Sequence, residues 1–446
     1  MADQFPQYNL PADPDATPPE TDQPEAMTVA ASLSGPTIRE LLSNRNFVPL
    51  LLGQMISYIG DQFTLVAALS VVGRLGGSSV GLIEGGIALA NAAPSIVLGL
   101  IGGVLVDRLD RKTVMVAADI VRGLSLLLLV LVGDDSSRLW LFFVTLTITG
   151  MAGTLFYPAR ASTLPAIVSK RQLGAANALI ESGFVIALVL GSLLASILIK
   201  TFGAGLAFAF NGGAYLFSAL MIVLMRIPPR VMQEEITQSA MQVRRELRDG
   251  LVYIWTTRSM RYIMGLSVMV AVSIGAVLIL AVNYMQITLK VDESAYGIVI
   301  AILGLGIVIG GVLIRQLSQY LPTNRLVGTA MALNGLAVLS FILQPSFVVV
   351  CLLTALIGFS IVVARAVLGT LVQAIPPEEY RGRVQAAFNL VFSAPLALSI
   401  GIAAVLSQLF AGQPWVVFTG FGLALLLTAW LAVTLLRGID EAVYSA

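Results

Sequence analysis

The chain has 446 residues, 57% of them hydrophobic and only 11% charged, with a formal net charge of +1. A water-soluble domain carries roughly 25% charged residues, so this composition excludes an ordinary soluble fold, and the balanced charge offers no global attraction to nucleic acid. Histidine is absent and Cys351 is the sole cysteine, which removes Ser-His and Cys-His catalysis, histidine or cysteine metal sites and intrachain disulfides; neither cofactor nor metal is expected.

Residues 1–36 are rich in Pro, Asp and Glu and contain no Lys or Arg. That composition reads as a disordered acidic tail rather than a signal peptide, which needs a basic start and an apolar core. Apolar runs long enough to cross about 30 Å of hydrocarbon then follow one another. The pattern predicts spans over 46–72, 79–106, 113–133, 139–163, 172–199 and 203–226, a polar linker over 227–258, and six more spans over 259–286, 295–314, 325–344, 346–373, 384–410 and 414–436. The expected fold is an all-α membrane protein of twelve transmembrane helices. It divides into an N-terminal bundle (37–226), a linker (227–258), a C-terminal bundle (259–437) and a short cytoplasmic tail (438–446).

An ionised side chain near the bilayer centre costs roughly 2.5 to 3.5 kcal/mol on insertion scales, so each one needs a reason. Asp61 lies near the middle of the first span and is the leading proton-coupling candidate, because a chain without histidine must use a carboxylate for that task. Glu84 falls close to the outer end of the second span and reads as a solvated mouth residue. Asp119 and Arg122 are spaced i, i+3 and can form an ion pair. Glu181 and Arg365 stand at similar depth in opposite halves, where they can form a state-dependent gate or each reach water. Tyr58, Phe63, Phe156, Tyr157 and Tyr284 are candidate cavity-lining aromatics for a greasy or amphipathic solute.

With the amino terminus inside, 20 Lys and Arg fall on the cytoplasmic side, four outside (Arg74, Arg138, Lys200, Lys290) and two within spans (Arg122, Arg365). That partition places both termini in the cytoplasm of a cell-membrane protein. GGVLV at 102–106 recurs as GGVLI at 310–314, each ending the second helix of its half, as expected for two related bundles. The linker segment 234–255 carries Ile236, Ala240, Val243, Leu247, Leu251 and Ile254 at helical spacing between basic residues. It reads either as an amphipathic helix along the inner membrane surface or as a solvated one.

The stretch from Gly103 through Asp107, Arg108, Asp110, Arg111 and Lys112 resembles the signature loop of the major facilitator superfamily: a glycine, an aspartate four residues on, then a basic cluster. In that reading the loop is a cytoplasmic conformational switch whose Arg108, Arg111 and Lys112 latch onto acids of adjacent loops in one state. Asp110 departs from the pattern, which has glycine there. SYIGDQFTLVAAL, YPARASTLPAIVSKRQLGAANAL, ELRDGLVYIWTTRSMRYIM and PPEEYRGRVQAAFNL are similar to the branch containing the enterobactin exporter and the macrolide efflux pumps. The resemblance implies a monomeric secondary transporter in the lipid bilayer, working by alternating access. The branch resemblance favours efflux but does not give the substrate; with Asp61 as the proton-coupling candidate and the apolar spans suggesting a greasy solute, the leading expectation is proton-coupled efflux of a lipophilic or amphipathic small molecule, drug-like or siderophore-like. A uniporter, importer or lipid flippase of the same fold is the alternative, and a non-transporting sensor or enzyme a more distant one. The fifth span lacks the glycine-proline motif common among antiporters of the superfamily, and the chain has no GxxxxGK[ST] loop for ATP.

Overall fold

The structure is a computed structural model describing residues 38–76, 82–94, 109–133, 135–227, 240–291, 295–410 and 413–437. Among the described residues, eleven helices are long and apolar enough to cross a membrane, and residues 82–94 are helical as well. In chain order they are α1 (Phe47–Leu75), α2 (82–94), α3 (Arg111–Leu127), α4 (Trp140–Ile167), α5 (Leu173–Phe202) and α6 (Ala204–Leu224). After the linker helix (Ala240–Thr256) come α7 (Arg258–Asn283), α8 (Ala295–Tyr320), α9 (Thr323–Leu339), α10 (Phe347–Ala374), α11 (Glu378–Leu409) and α12 (Pro414–Leu435). Helices are the expected solution, since a backbone in hydrocarbon must satisfy its own polar groups. The outer surface is apolar: Ile197 is 62% exposed, Val312 71% and Trp430 62%, side chains suited to lipid rather than water.

Predicted spans and observed helices agree closely, with two systematic differences. α8 continues to Tyr320, so the GGVLI stretch sits inside the helix instead of ending it. α11 begins at Glu378, because Pro377 supplies an extended residue before it and Glu378 and Glu379 complement the positive end of the helix dipole. The first copy of the repeat (102–106), together with Gly103, Asp107, Arg108 and both tails, lies outside the described residues.

Local chemistry explains the junctions. Asp110 is the N-cap of α3, its carboxylate accepting from the Thr113 backbone N–H at 2.8 Å and from the Thr113 hydroxyl at 2.7 Å. These bonds hold its pKa below the ordinary carboxylate value. Its φ of −65° asks for no glycine, which is why the departure from the loop pattern is harmless to the backbone. Between α5 and α6, Gly203 has φ +80°, a conformation that glycine alone adopts readily.

The hydrophobic interior forms three clusters. One fills the C-terminal half, and a second fills the part of the N-terminal half nearest the start of α1, around Phe47, Met115, Phe156 and Ile222. The third joins Phe63, Val71, Phe142 and Phe208 of the N-terminal half to Met285, Tyr296, Val299 and Ile300 beyond the linker. The halves therefore share a core at one end, the end where α1 and α7 finish and α2 and α8 begin. Close backbone approach makes that seal. A Cβ on Gly297 of α8 would fall on the Ser192 carbonyl and Ser196 hydroxyl of α5, one on Gly85 of α2 would overlap Ala404 of α11, and one on Gly401 of α11 would press Leu89 of α2.

The linker helix docks on the opposite end of α11. Tyr253 stacks on Tyr380 with ring centroids 5.0 Å apart, Asp249 pairs with Arg383 at 3.6 Å, and Gly250 lies against the Arg383 carbonyl. Ile254 of the predicted apolar stripe is buried in the C-terminal core, whereas Val252 and Trp255 are exposed. At Leu251 and Ile254 the stripe thus covers protein, and two of the similar segments recognised in the sequence turn out to pack on each other; Ile236 and the side chains of Ala240, Val243 and Leu247 lie outside what is described.

Candidate functional site

Between the halves lies a cavity of about 650 Å³, lined from α1, α2, α3, α4 and α6 on one side and from α7, α8, α10 and α11 on the other. Its volume falls in the range of small-molecule sites, ~300–1,000 Å³. Asp61 faces it from the middle of α1. One carboxylate oxygen accepts from the Tyr215 hydroxyl at 2.7 Å and, more loosely, from the Asn211 amide at 3.4 Å, both on α6. The Asn211 amide also donates to the Thr64 hydroxyl at 2.8 Å, so the carboxylate sits in a neutral hydrogen-bonded frame between two helices. Gly60 leaves room for it, since a Cβ there would overlap Asn211.

Asp119 and Arg122 form the predicted pair, 3.5 Å apart on α3 with both side chains almost fully buried. The Arg122 guanidinium lies over the rings of Phe156 (4.8 Å), Tyr215 (5.2 Å) and Tyr157 (5.5 Å). Aromatic faces attract a cation through their quadrupole, so Arg122 is stabilised by one carboxylate and three rings while still touching the cavity wall. Gly153 makes the approach possible, its Cα standing where a Cβ would crowd the guanidinium.

Other predicted positions separate. Glu84 lines the cavity and is only 4% exposed, which corrects the reading of it as a solvated mouth residue: α2 is packed against α11 at Gly85, and the end of the molecule closes over it. Glu181 and Arg365 do not pair with each other. Both are exposed, and the Arg365 guanidinium lies over the ring of Phe392 of α11 at 4.9 Å. Arg111 donates to the Ser162 carbonyl at 2.6 Å, and Lys112 donates to the Val223 and Met225 carbonyls at 2.7 Å. These are carbonyls of α4 and of the end of α6 in the same half. For Lys112 they replace the expected acid of a neighbouring loop, because the ammonium is consumed in closing the negative end of α6.

Of the five candidate aromatics only Tyr157 lines the cavity. Phe63 and Phe156 are core residues, Tyr284 donates to the Pro345 carbonyl at 3.0 Å, and Tyr58 accepts from Arg160 at 2.5 Å. Arg160 also donates to Gln54 at 2.7 Å and lies 5.5 Å from the Tyr157 ring. The sequence reading passed over Arg160, Asn211 and Tyr215. Asn211 carried a usable signal: an amide in the run LAFAFNGGAYLF is costly in a span unless bonded to another helix. Tyr215 carried none, as its role depends on which face of α6 meets α1.

The fifth helix has an irregularity of its own. A π-turn over Ala187–Gly191 interrupts α5. It packs Gly191 against Gln62 and Ile59 of α1, while Gly304 of α8 meets Leu188 and Val189. The wider turn stands in the helix that lacks the proline motif, at the junction of both halves, a common place for such turns in functional sites.

Comparison with known proteins adds the family context. The sequence profile of the Major Facilitator Superfamily matches residues 50–399. The MFS-type transporter YfiS of Bacillus subtilis is 26% identical over 48% of the chain, an alignment covering 50% of that protein. The chain thus spans about half the length of the first such relatives it matches. The match to the multidrug efflux pump Tap of Mycolicibacterium fortuitum, 25% identical, covers 90% of the chain and 99% of Tap. Macrolide efflux protein A of Streptococcus pyogenes is 23% identical over 81% of the chain and 88% of its own. Among solved structures the nucleoside transporter NupG superposes with TM-score 0.67 at 12% identity, covering 86% of this chain and 99% of its own. A bacterial homologue of the human lysosomal transporter Spinster gives 0.66 at 14%, covering 90% and 98%. At such identities the superpositions speak for the fold alone.

Proposed function

The chain belongs to the Major Facilitator Superfamily, a multi-pass membrane transporter and not an enzyme, and on that premise we propose that it is a proton-coupled exporter of a lipophilic or amphipathic small molecule. One observation carries the reading: a carboxylate, Asp61, stands at mid-span on the wall of the inter-half cavity, held by neutral donors and not locked in an ion pair. Such a group can lose and regain a proton without breaking a salt bridge. The Asp119–Arg122 pair behind it is a fixed structural element. The efflux names of Tap and of Macrolide efflux protein A support the outward direction.

The seal at one end supports a cycle of alternating access. The N-terminal bundle (37–226) and the C-terminal bundle (259–437) rock about the cavity, with the α2–α11 and α5–α8 glycine contacts opening as the other end closes. Both termini lie in the cytoplasm by the partition of basic residues, so the contacts seal the outer side and the state is inward-facing. One chain supplies both walls of the cavity, which supports a monomer as the working unit. Everted cell-membrane vesicles with and without the protein, screened against a broad compound panel under an imposed pH gradient, test the proposal. Gradient-dependent accumulation of at least one lipophilic compound is expected. Transport indifferent to the gradient would point to a uniporter of the same fold.

A further inference from the structure

The linker helix (Ala240–Thr256) has two faces, and the fold accounts for one of them. Gly250, Tyr253 and Ile254 turn toward α11 and the C-terminal core. On the opposite side Arg245, Arg248, Val252 and Trp255 are exposed, Val252 by 50% and Trp255 by 70%. Their successive spacings place all four within about 80° of one helix face, at 3.6 residues per turn. A single exposed apolar side chain is ordinary, but here an indole and a valine continue a stripe begun by two guanidinium groups.

The helix sits at the edge of the membrane. Its partners Tyr380 and Arg383 directly precede residue 384, where the apolar run of α11 begins, and Trp255 comes just before α7 starts at Arg258. Tryptophan, apolar in its body and polar at its ring N–H, is the side chain favoured at headgroup level. The charge there is one-sided: residues 240–261 hold five arginines against two acids, and one of those acids, Asp249, is taken by Arg383. Arg258 and Arg261 at the start of α7 are exposed as well, and the first turn of that helix has no acidic side chain. A soluble acidic partner would have to compete with the bilayer for this position, whereas anionic headgroups already lie beside it.

We propose that this face binds anionic phospholipid of the inner leaflet, Arg245 and Arg248 meeting the phosphates while Val252 and Trp255 enter the apolar boundary below them. The proposal uses the cytoplasmic placement of the linker and is independent of the solute and the coupling ion. A guanidinium donates to two phosphate oxygens at once, and its stem lies along apolar surface while the charged head stays at the headgroups. Because the other face of the helix is clasped to α11, lipid held here also holds the C-terminal half at the membrane surface.

The chain has four tryptophans, and Trp140, Trp415 and Trp430 are 58%, 53% and 62% exposed, so exchanging those three for Phe leaves Trp255 as the sole indole without opening the core. That full chain, in phosphatidylcholine nanodiscs, is given equal fractions of dibrominated phosphatidylglycerol or dibrominated phosphatidylcholine, bromine being a short-range quencher. Each arginine at a membrane surface favours anionic lipid on the order of five-fold, so the brominated phosphatidylglycerol is expected to quench at least about two-fold more. The excess is expected to vanish in Arg245→Gln/Arg248→Gln and to shrink in molar salt. Equal quenching by the two lipids overturns the proposal, as does an excess that survives the double variant. Quenching by neither also overturns it and marks the face as one for water or a soluble partner. A second measurement needs no variant: the unmodified chain in a neutral maltoside detergent, followed by native mass spectrometry, is expected to retain phosphatidylglycerol at least about five-fold better than phosphatidylcholine. Retention without preference would end the inference.

Discussion

The Tyr215 hydroxyl donates a 2.7 Å hydrogen bond to the Asp61 carboxylate, joining the middle of α6 to the middle of α1 at the cavity wall. The same ring supports the Arg122 guanidinium at 5.2 Å. Tyr215 thus touches both charged elements of the site while Asp61 and Arg122 belong to different ones. That division generates contrasting outcomes for the two residues.

Asp61→Asn is expected to keep the fold and lose the coupling. The amide oxygen can still accept from Tyr215, no buried cation is orphaned, and the melting temperature of the purified protein should stay within a few degrees of the parent. Gradient-driven uphill flux in proteoliposomes should vanish, and any residual downhill flux should no longer respond to pH. A strongly destabilised variant whose folded fraction still couples normally to ΔpH would make Asp61 structural.

Arg122→Gln is expected to do the opposite. It strands Asp119, fully buried beside it, and breaking a buried pair costs about 3–5 kcal/mol. Expression and thermal stability should fall sharply, and adding Asp119→Asn should restore a substantial part. Detergent-solubilised melting curves of the three variants decide it; an unaltered Arg122→Gln would remove the structural role.

Closure at the α2–α11 contact should be lockable. On a Cys351→Ser background, Leu89→Cys with Gly401→Cys places two thiols where a Cβ on Gly401 meets the Leu89 side chain at 2.7 Å. Oxidative cross-linking should halt transport, and reduction should restore it. Full activity of the cross-linked protein would mean that this contact never opens during the cycle.

Asp110→Ala should cost about 1 kcal/mol through loss of the α3 cap, and Asp110→Gly only a few tenths. Because the Thr113 hydrogen bonds depress the Asp110 pKa, the cap's contribution is present above the ordinary carboxylate value near 3.9. It is lost as pH falls through the lower native value. Comparing parent and Asp110→Ala melting at pH 7 and at about pH 3 should show the gap narrowing in acid; a pH-independent gap would argue against capping by the ionised carboxylate.

The helices were legible because apolar run length is a direct physical requirement of the bilayer; their ends shifted by a few residues, at the starts of α3 and α11 because Asp110 and Pro377 cap them locally. The buried charges at Asp61, Asp119 and Arg122 were legible for the same reason, as each is costly in a span. What those charges do was not, because partnership is tertiary. The i, i+3 spacing identified the Asp119–Arg122 contact, yet nothing in one sequence places Phe156 and Tyr215 around the guanidinium or brings Asn211 to Asp61 across 150 residues. Glu84 failed for a further reason: its exposure depends on which end of the molecule is shut, a property of conformational state.

The docking of the linker helix on α11 also shortens the tether. With Tyr253 and Asp249 clasped to Tyr380 and Arg383, the chain that joins the N-terminal bundle to the linker helix runs from Ile227 to Ala240, thirteen peptide steps that span at most about 45 Å when fully extended. That length is the whole allowance for relative travel at the linker side, so the stroke of the transporter is bounded by covalent geometry there as well as by packing at the far seal. Insertions between residues 227 and 240 would then act as a dial on amplitude, and undoing the clasp would add slack without adding a single residue.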